Sequence, residues 1–142
     1  MSSGDRSTGI LAVDPGARRY GVAFADLETR FARPVEVIDS TSVDPVARVV
    51  ALASELGAVK IVVGRPVGLS GNEGPAVDAA AAFVGQLAAA TKLPVVEYDE
   101  RLTTVIAEQG LRASGSKARD RSAVRDSVAA QVLLQSFLDT QR

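Results

Sequence analysis

Three apolar runs separated by turn residues open the chain: GILAVD at 9–14, YGVAFAD at 20–26 and ARPVEVID at 32–39. Short runs of this kind, with Pro, Gly and Asp between them, predict a strand meander. The period then changes. In DPVARVVALASELG, residues Val46, Val49, Val50, Ala53 and Leu56 recur at helical spacing and a glycine closes the run, which predicts a helix. AVKIVVG is a β-branched run suited to a strand buried on both faces, PAVDAAAAFVGQLAAAT is a helix opened by Pro75, and LPVVEYDE is a further strand. TTVIAEQGLRAS and SAVRDSVAAQVLLQSFLD follow as two helices, joined by the polar loop GSKARDR.

This β-β-β-α-β-α-β-α-α order predicts an α/β fold with a mixed five-stranded sheet and helices on both faces. Residues 1–8 read as a loose tail and 9–142 as a single domain. Ligands of such sheets sit outside the carboxyl ends of the parallel strands. Asp14 ends the first strand, and Asp99 and Glu100 end the last.

Composition narrows the chemistry. With 46% hydrophobic residues in 142, the chain can bury one proper core, and a net charge of -1 argues against coating nucleic acid by bulk positive charge. There is no cysteine and no histidine. Disulfides, thiolate or imidazole zinc sites, cysteine nucleophiles and triads with a histidine base are therefore excluded. Any catalysis must use Asp, Glu, Lys, Arg, Ser, Thr or Tyr, and clustered carboxylates then point to Mg²⁺ or Mn²⁺. The start MSSGDRSTG lacks the apolar stretch of a signal peptide, and no apolar run reaches membrane-spanning length, so a cytoplasmic location is expected.

Each candidate acid has a plain structural reading beside the chemical one. Asp14-Pro15-Gly16 is turn chemistry, with Gly16 expected to take the positive φ. In VVEYDE, strand alternation puts Val96, Tyr98 and Glu100 on one face and Val95, Glu97 and Asp99 on the other, and a strand-end acid often caps a helix. Asp126 shares a helical stripe with Ala129, Ala130, Leu133 and Phe137, a costly place for a charge unless it is paired or metal-bound. Its plain reading is an acid in the first helical turn, favoured by the helix dipole. The glycine-rich GRPVGLSGNEG could approach phosphate but lacks the Walker A spacing. Arg112, Lys117, Arg119, Arg121 and Arg125 form a basic stretch leading to Asp126 that suits phosphate contacts or a solvated loop, and Arg18 and Arg19 follow Asp14.

The blocks LAVDPGARRYGVAFAD, VVGRPVGLSGNEG, YDERLTT and RDSVAAQVLLQSFLD, in this order, resemble the YqgF/RuvX family of bacterial proteins, which has a ribonuclease H-like fold. The resemblance implies a nuclease assigned to 5′-end processing of the 16S ribosomal RNA precursor and also described as a Holliday junction resolvase. It implies three metal-binding catalytic acids, Asp14, Glu100 and Asp126, with Asp99, Arg101 and Gly16 in support, and a homodimer. On this reading Asp14 and Asp126 anchor one Mg²⁺ or Mn²⁺, Asp14 and Glu100 a second, and Arg18, Arg19, Arg119, Arg121 and Arg125 position the nucleic acid. Two departures stand out: Ile106 replaces a glutamate that members often carry, which removes a capping box with Thr103, and no fourth acid lies one turn from Asp126.

Two other classes fit parts of the pattern. DPGARRYGVAF also resembles the first phosphate motif of actin-like ATPases and sugar kinases, but those enzymes close two such domains around a nucleotide and this chain has the length of one. A non-catalytic nucleic-acid-binding factor would use the basic stretch, yet three acids beside it would repel the phosphates it must attract.

Overall fold

The protein is described by a computed structural model over residues 8–65, 75–99 and 118–140. The meander forms as the pattern predicts: β1 (Gly9–Pro15), β2 (Arg19–Asp26) and β3 (Ala32–Asp39) pair antiparallel in sequence order. Two crossovers then extend the sheet on the other side of β1. Helix α1 (Pro45–Leu56) leads to β4 (Ala58–Arg65), parallel to β1, and α2 (Pro75–Ala90) leads to β5 (Val95–Asp99), parallel to β4. The strand order is β3-β2-β1-β4-β5, so β1 lies at the centre. Helix α3 (Ala118–Thr140) ends the described chain. The mixed five-stranded sheet with helices on both faces is thus the observed architecture; the expected helix at 103–114 and the glycine-rich loop at 66–74 lie outside the described residues.

Local chemistry sets the ends of α1. The Asp44 carboxylate accepts from the Val46 backbone N–H at 3.2 Å, Pro45 occupies the first turn, and Gly57 takes the left-handed conformation at φ 76°, donating to the Ala53 carbonyl.

Strand alternation divides the sheet into two cores. Leu11, Val13, Val22, Phe24, Ile61 and Val63 face α1 and α2 and pack on Val49, Leu52, Phe83 and Leu87. Ile10, Ala12, Ala23, Ala25 and Val62 face α3 and pack on Ala130, Leu133, Leu134, Phe137 and Leu138. Three alanines, Ala12, Ala23 and Ala25, lie on the α3 face of β1 and β2, so much of the bulk over these two strands comes from the helix. Each large α3 side chain removed from water there contributes about 1.5–3 kcal/mol.

Two glutamines one turn apart lock α3 to the start of β3. Gln131 Nε2 donates to the Ala32 carbonyl at 3.1 Å, the Ala32 N–H donates to Gln135 Oε1 at 2.9 Å, and Gln135 Nε2 donates to the Arg30 carbonyl at 3.1 Å. Arg30, at a left-handed φ of 56°, in turn donates to the Leu138 carbonyl in the last turn of α3 at 2.8 Å. The carboxyl-terminal half of α3 therefore sits where β3 begins.

The start of α3 corrects the sequence reading. The helix begins at Ala118, so residues 118–121 of the expected GSKARDR loop are helical. Ala and Arg are good helix formers, and a charged first turn needs no apolar stripe to be helical once later turns are anchored.

Candidate active site

Asp14 is the next-to-last residue of β1, directly opposite Gly21 of β2. By alternation it follows Ile10 and Ala12 and so belongs to the α3 face. On its other side β1 and β4 pair Val13 with Val63, and one further step of that register sets Gly64 beside Asp14. Gly21 and Gly64 are both buried. The carboxylate thus stands in a row with a glycine on each flank, and neither neighbour has a side chain to fill the space over the strand.

The turn after Asp14 needs its glycine for a reason other than the expected one. Gly16 does not take a positive φ. Its N–H donates to the Arg19 carbonyl at 3.0 Å, and a Cβ at Gly16 would lie 2.5 Å from that oxygen. Close approach of backbone to backbone is what the position requires.

A second latch holds the same loop from outside. Arg18 donates through Nε and Nη2 to the two carboxylate oxygens of Asp39 at 3.3 and 3.2 Å, and the Arg18 carbonyl accepts from Ser40 N–H and Oγ at 2.9 and 2.7 Å. Hydrogen bonds from Arg18 and then Thr41 hold the Asp39 carboxyl well below the usual carboxylate range, and Asp39 raises the guanidinium in return. Both groups are substantially exposed, so solvent screens the pair. Arg19 is exposed at the start of β2.

The remaining sequence candidates are placed unevenly. Asp99 is the last residue of β5, level with Arg65 of β4. Glu100, Arg101, Arg112 and Lys117 lie outside the described residues. Asp126 lies more than two turns inside α3, together with Arg119, Arg121 and Arg125, and not in a first turn. The dipole of a helix end acts within its first turn, so it does not account for an acid at this position. One turn further on lies the buried Ala130. Among the described residues no three acids form a metal-binding group, Asp14 being the one member of the expected trio within them in full.

Sequence reasoning singled out neither the glycine flanks of Asp14 nor Tyr98. The Tyr98 hydroxyl and Ser136 Oγ on α3 share a hydrogen bond of 2.8 Å, and its ring meets Phe137 edge-on at 5.7 Å. Alternation in VVEYDE carried a signal for the face of Tyr98; its partners, far away in sequence, carried none.

A family model described as "RuvX: Holliday junction resolvase" matches residues 8–140. The chain belongs to the RuvX family. Within the family's reach, a protein of Thermobifida fusca is 47% identical over 95% of this chain and 90% of its own length. One from Chloroflexus aurantiacus is 41% identical over 94% of this chain and 88% of its own. Both carry the name "Putative pre-16S rRNA nuclease". Among solved structures, Thermus thermophilus RuvC in complex with a Holliday junction substrate superposes with a TM-score of 0.57 at 17% identity, covering 94% of this chain and 95% of that one. That likeness carries the fold alone. It agrees with the ribonuclease H-like architecture that the sequence motifs imply, and the RuvX family is one of nucleases acting on phosphodiester bonds.

Proposed function

We propose that this chain is a divalent-cation-dependent nuclease that processes the 5′ end of the 16S rRNA precursor, with Asp14, Glu100 and Asp126 holding Mg²⁺ or Mn²⁺. One observation carries the reading: Asp14 stands at the carboxyl end of the central strand, between two glycines, on the face covered by the helix that bears Asp126. The donor set fits the ion. Carboxylate oxygens suit hard cations, and the chain has no His or Cys to favour zinc. Two carboxylates about 5 Å apart repel by roughly 3 kcal/mol at an effective dielectric near 20, which a cation relieves. When bound, it supplies activation of water and stabilisation of the leaving oxygen.

The chain's own residues account for binding. Arg18, Arg19, Arg119, Arg121 and Arg125 contact phosphates, while Gly16 keeps the loop after Asp14 tight and Asp99 and Arg101 flank Glu100 in support. The aromatic rings favour contact with the sugar-phosphate backbone over base stacking. Phe24, Phe83 and Phe137 are buried, Tyr20 packs on Phe83 and Tyr98 on Phe137, and the exposed ring, Phe31, lies in the connection between β2 and β3, at the end of the sheet where β1 begins and away from Asp14.

The names of the close relatives favour RNA as substrate, and the family description favours branched DNA as the second reading. The same proposal includes a homodimer in the cytoplasm; among the described residues no helix is long and apolar enough to cross a membrane. Purified protein is to be given a precursor rRNA 5′ segment and a four-way DNA junction at equal salt, with and without Mn²⁺. Mn²⁺-dependent cleavage of the RNA supports the reading. Symmetric nicking of the junction by a stable dimer, with the RNA intact, replaces it with the second.

A further inference from the structure

Tyr98 is the last described side chain of β5, and residues 99 and 100 follow it directly. It lies on the α3 face, level with Gly64, in the row that also holds Asp14 and Gly21. Its hydroxyl shares a 2.8 Å hydrogen bond with Ser136, and its ring packs edge-on against Phe137 at 5.7 Å. Ser136 and Phe137 belong to the helix that carries Asp126. The strand leading into Glu100 and the helix carrying Asp126 are therefore joined by a contact that involves neither acid.

From this geometry we infer that Tyr98 and Ser136 are positioning residues that set the spacing of the acidic site. The inference rests on Asp14, Glu100 and Asp126 being the metal ligands. α3 is anchored on its β3 side by Gln131 and Gln135 and on its β5 side by Ser136 and Phe137. A helix held on both sides keeps one direction across the sheet. Ser136 is about 15 Å along the helix from residue 126, at 1.5 Å per residue, so a tilt of roughly 4° at the anchor moves the acid by about 1 Å. Displacements of that size at a reacting centre cost up to about 100-fold in rate. The ring contact alone holds β5 near α3; the hydroxyl pair defines where along the helix it sits, because a hydrogen bond is directional and an edge-on ring contact is broad.

The test uses the full chain as Tyr98→Phe, Ser136→Ala, the double variant and Ser136→Thr. Mn²⁺ affinity is read by calorimetry in the presence of a non-cleavable nucleic-acid analogue, together with the single-turnover cleavage rate and the melting temperature. Each single variant is expected to weaken Mn²⁺ binding by about threefold to tenfold, the size of one net hydrogen bond. The double variant is expected to lose no more than the singles, because the two hydroxyls act as one unit. Ser136→Thr, which keeps the hydroxyl, restores the wild-type affinity. If wild type binds Mn²⁺ and the singles bind it equally well, whatever their melting temperatures, the inference is overturned while the metal site stands. If wild type itself binds no Mn²⁺, the metal reading falls and takes the inference with it.

Discussion

Asp14 and Gly21 stand directly opposite each other across the β1–β2 ladder, an acid facing a residue with no side chain. Side chains so paired have Cβ atoms about 4.5–5.5 Å apart, so any side chain at position 21 crowds the carboxylate. Gly21→Val is expected to cut cleavage at least tenfold. Gly21→Ala should fall between it and wild type, with far-ultraviolet circular dichroism unchanged in both. Wild-type rates in the valine variant would show that the space beside Asp14 is not used.

The Arg48–Glu36 pair makes a pH prediction. Arg48 donates through Nε and Nη2 to the two Glu36 oxygens, both at 2.8 Å, tying α1 to β3. That bond holds the Glu36 carboxyl below its ordinary value of 4.5. A carboxyl lowered on folding contributes stability that is fully present above its unfolded value and is lost as acid titrates the folded protein below it. With both groups about one-third exposed, solvent screening limits the pair to roughly 0.5–1 kcal/mol. Glu36→Gln should lower stability by that amount at pH 7, and the gap to wild type should close as pH falls below 4.5. Denaturant midpoints across the range check it. A gap that widens in acid contradicts it.

The lock on Ala32 predicts a larger loss. Ala32 is buried, and Gln135→Ala strands its N–H while also releasing the Arg30 carbonyl. A buried donor left unsatisfied costs about 1–3 kcal/mol. Gln131→Ala, which frees one carbonyl, should cost less. Urea unfolding with unchanged slope gives both values, and equal losses would show that the two glutamines are not distinguished by what they leave unpaired.

The strands and α1 were legible in the sequence because their signals are local. Short apolar runs bounded by turn residues marked the strands, and helical spacing closed by Gly57 marked α1; which face each residue of β1 takes, such as Leu11 and Val13 against Ile10 and Ala12, is read from the structure. The mixed character of the sheet followed from a meander combined with two crossovers, while the central position of β1 is read from the structure. What escaped was non-local or lacked an apolar pattern. The first turn of α3 carries ARDR, which shows no stripe, and it is helical because turns anchored at Gln131 and Gln135 propagate into it. Gly16 looked like a positive-φ turn glycine because Asp-Pro-Gly favours that turn, whereas the Arg19 carbonyl decides the position. The Arg18–Asp39 and Tyr98–Ser136 pairs join residues whose separation no spacing rule spans. Of the acidic trio, Asp14 lies on the α3 face by strand alternation, and Asp126 lies within α3, more than two turns from its start.

Nucleic-acid binding should be electrostatic in character. With every ring but that of Phe31 packed in or against the core, arginines contacting phosphates should supply most of the affinity. Arg119→Ala and Arg121→Ala are each expected to weaken binding by a similar factor for every sequence tested and to reduce the slope of log affinity against log salt by about one. Fluorescence anisotropy titrations at several salt concentrations measure both. A loss confined to one sequence would assign these arginines to base readout.

The central claim is that Asp14 is a metal ligand of a nuclease and not a turn residue. It is tested most directly by single-turnover cleavage of a precursor rRNA 5′ segment in Mn²⁺ by wild type and Asp14→Asn, with melting temperatures taken on the same samples. The amide keeps the size of the side chain and removes the charge that holds a cation. Cleavage is expected to vanish in the variant, with a melting temperature at or above wild type without Mn²⁺, since like-charge repulsion is relieved, and no rise when Mn²⁺ is added. A variant that cleaves at the wild-type rate, or one that loses cleavage only because it melts well below wild type, would contradict the account.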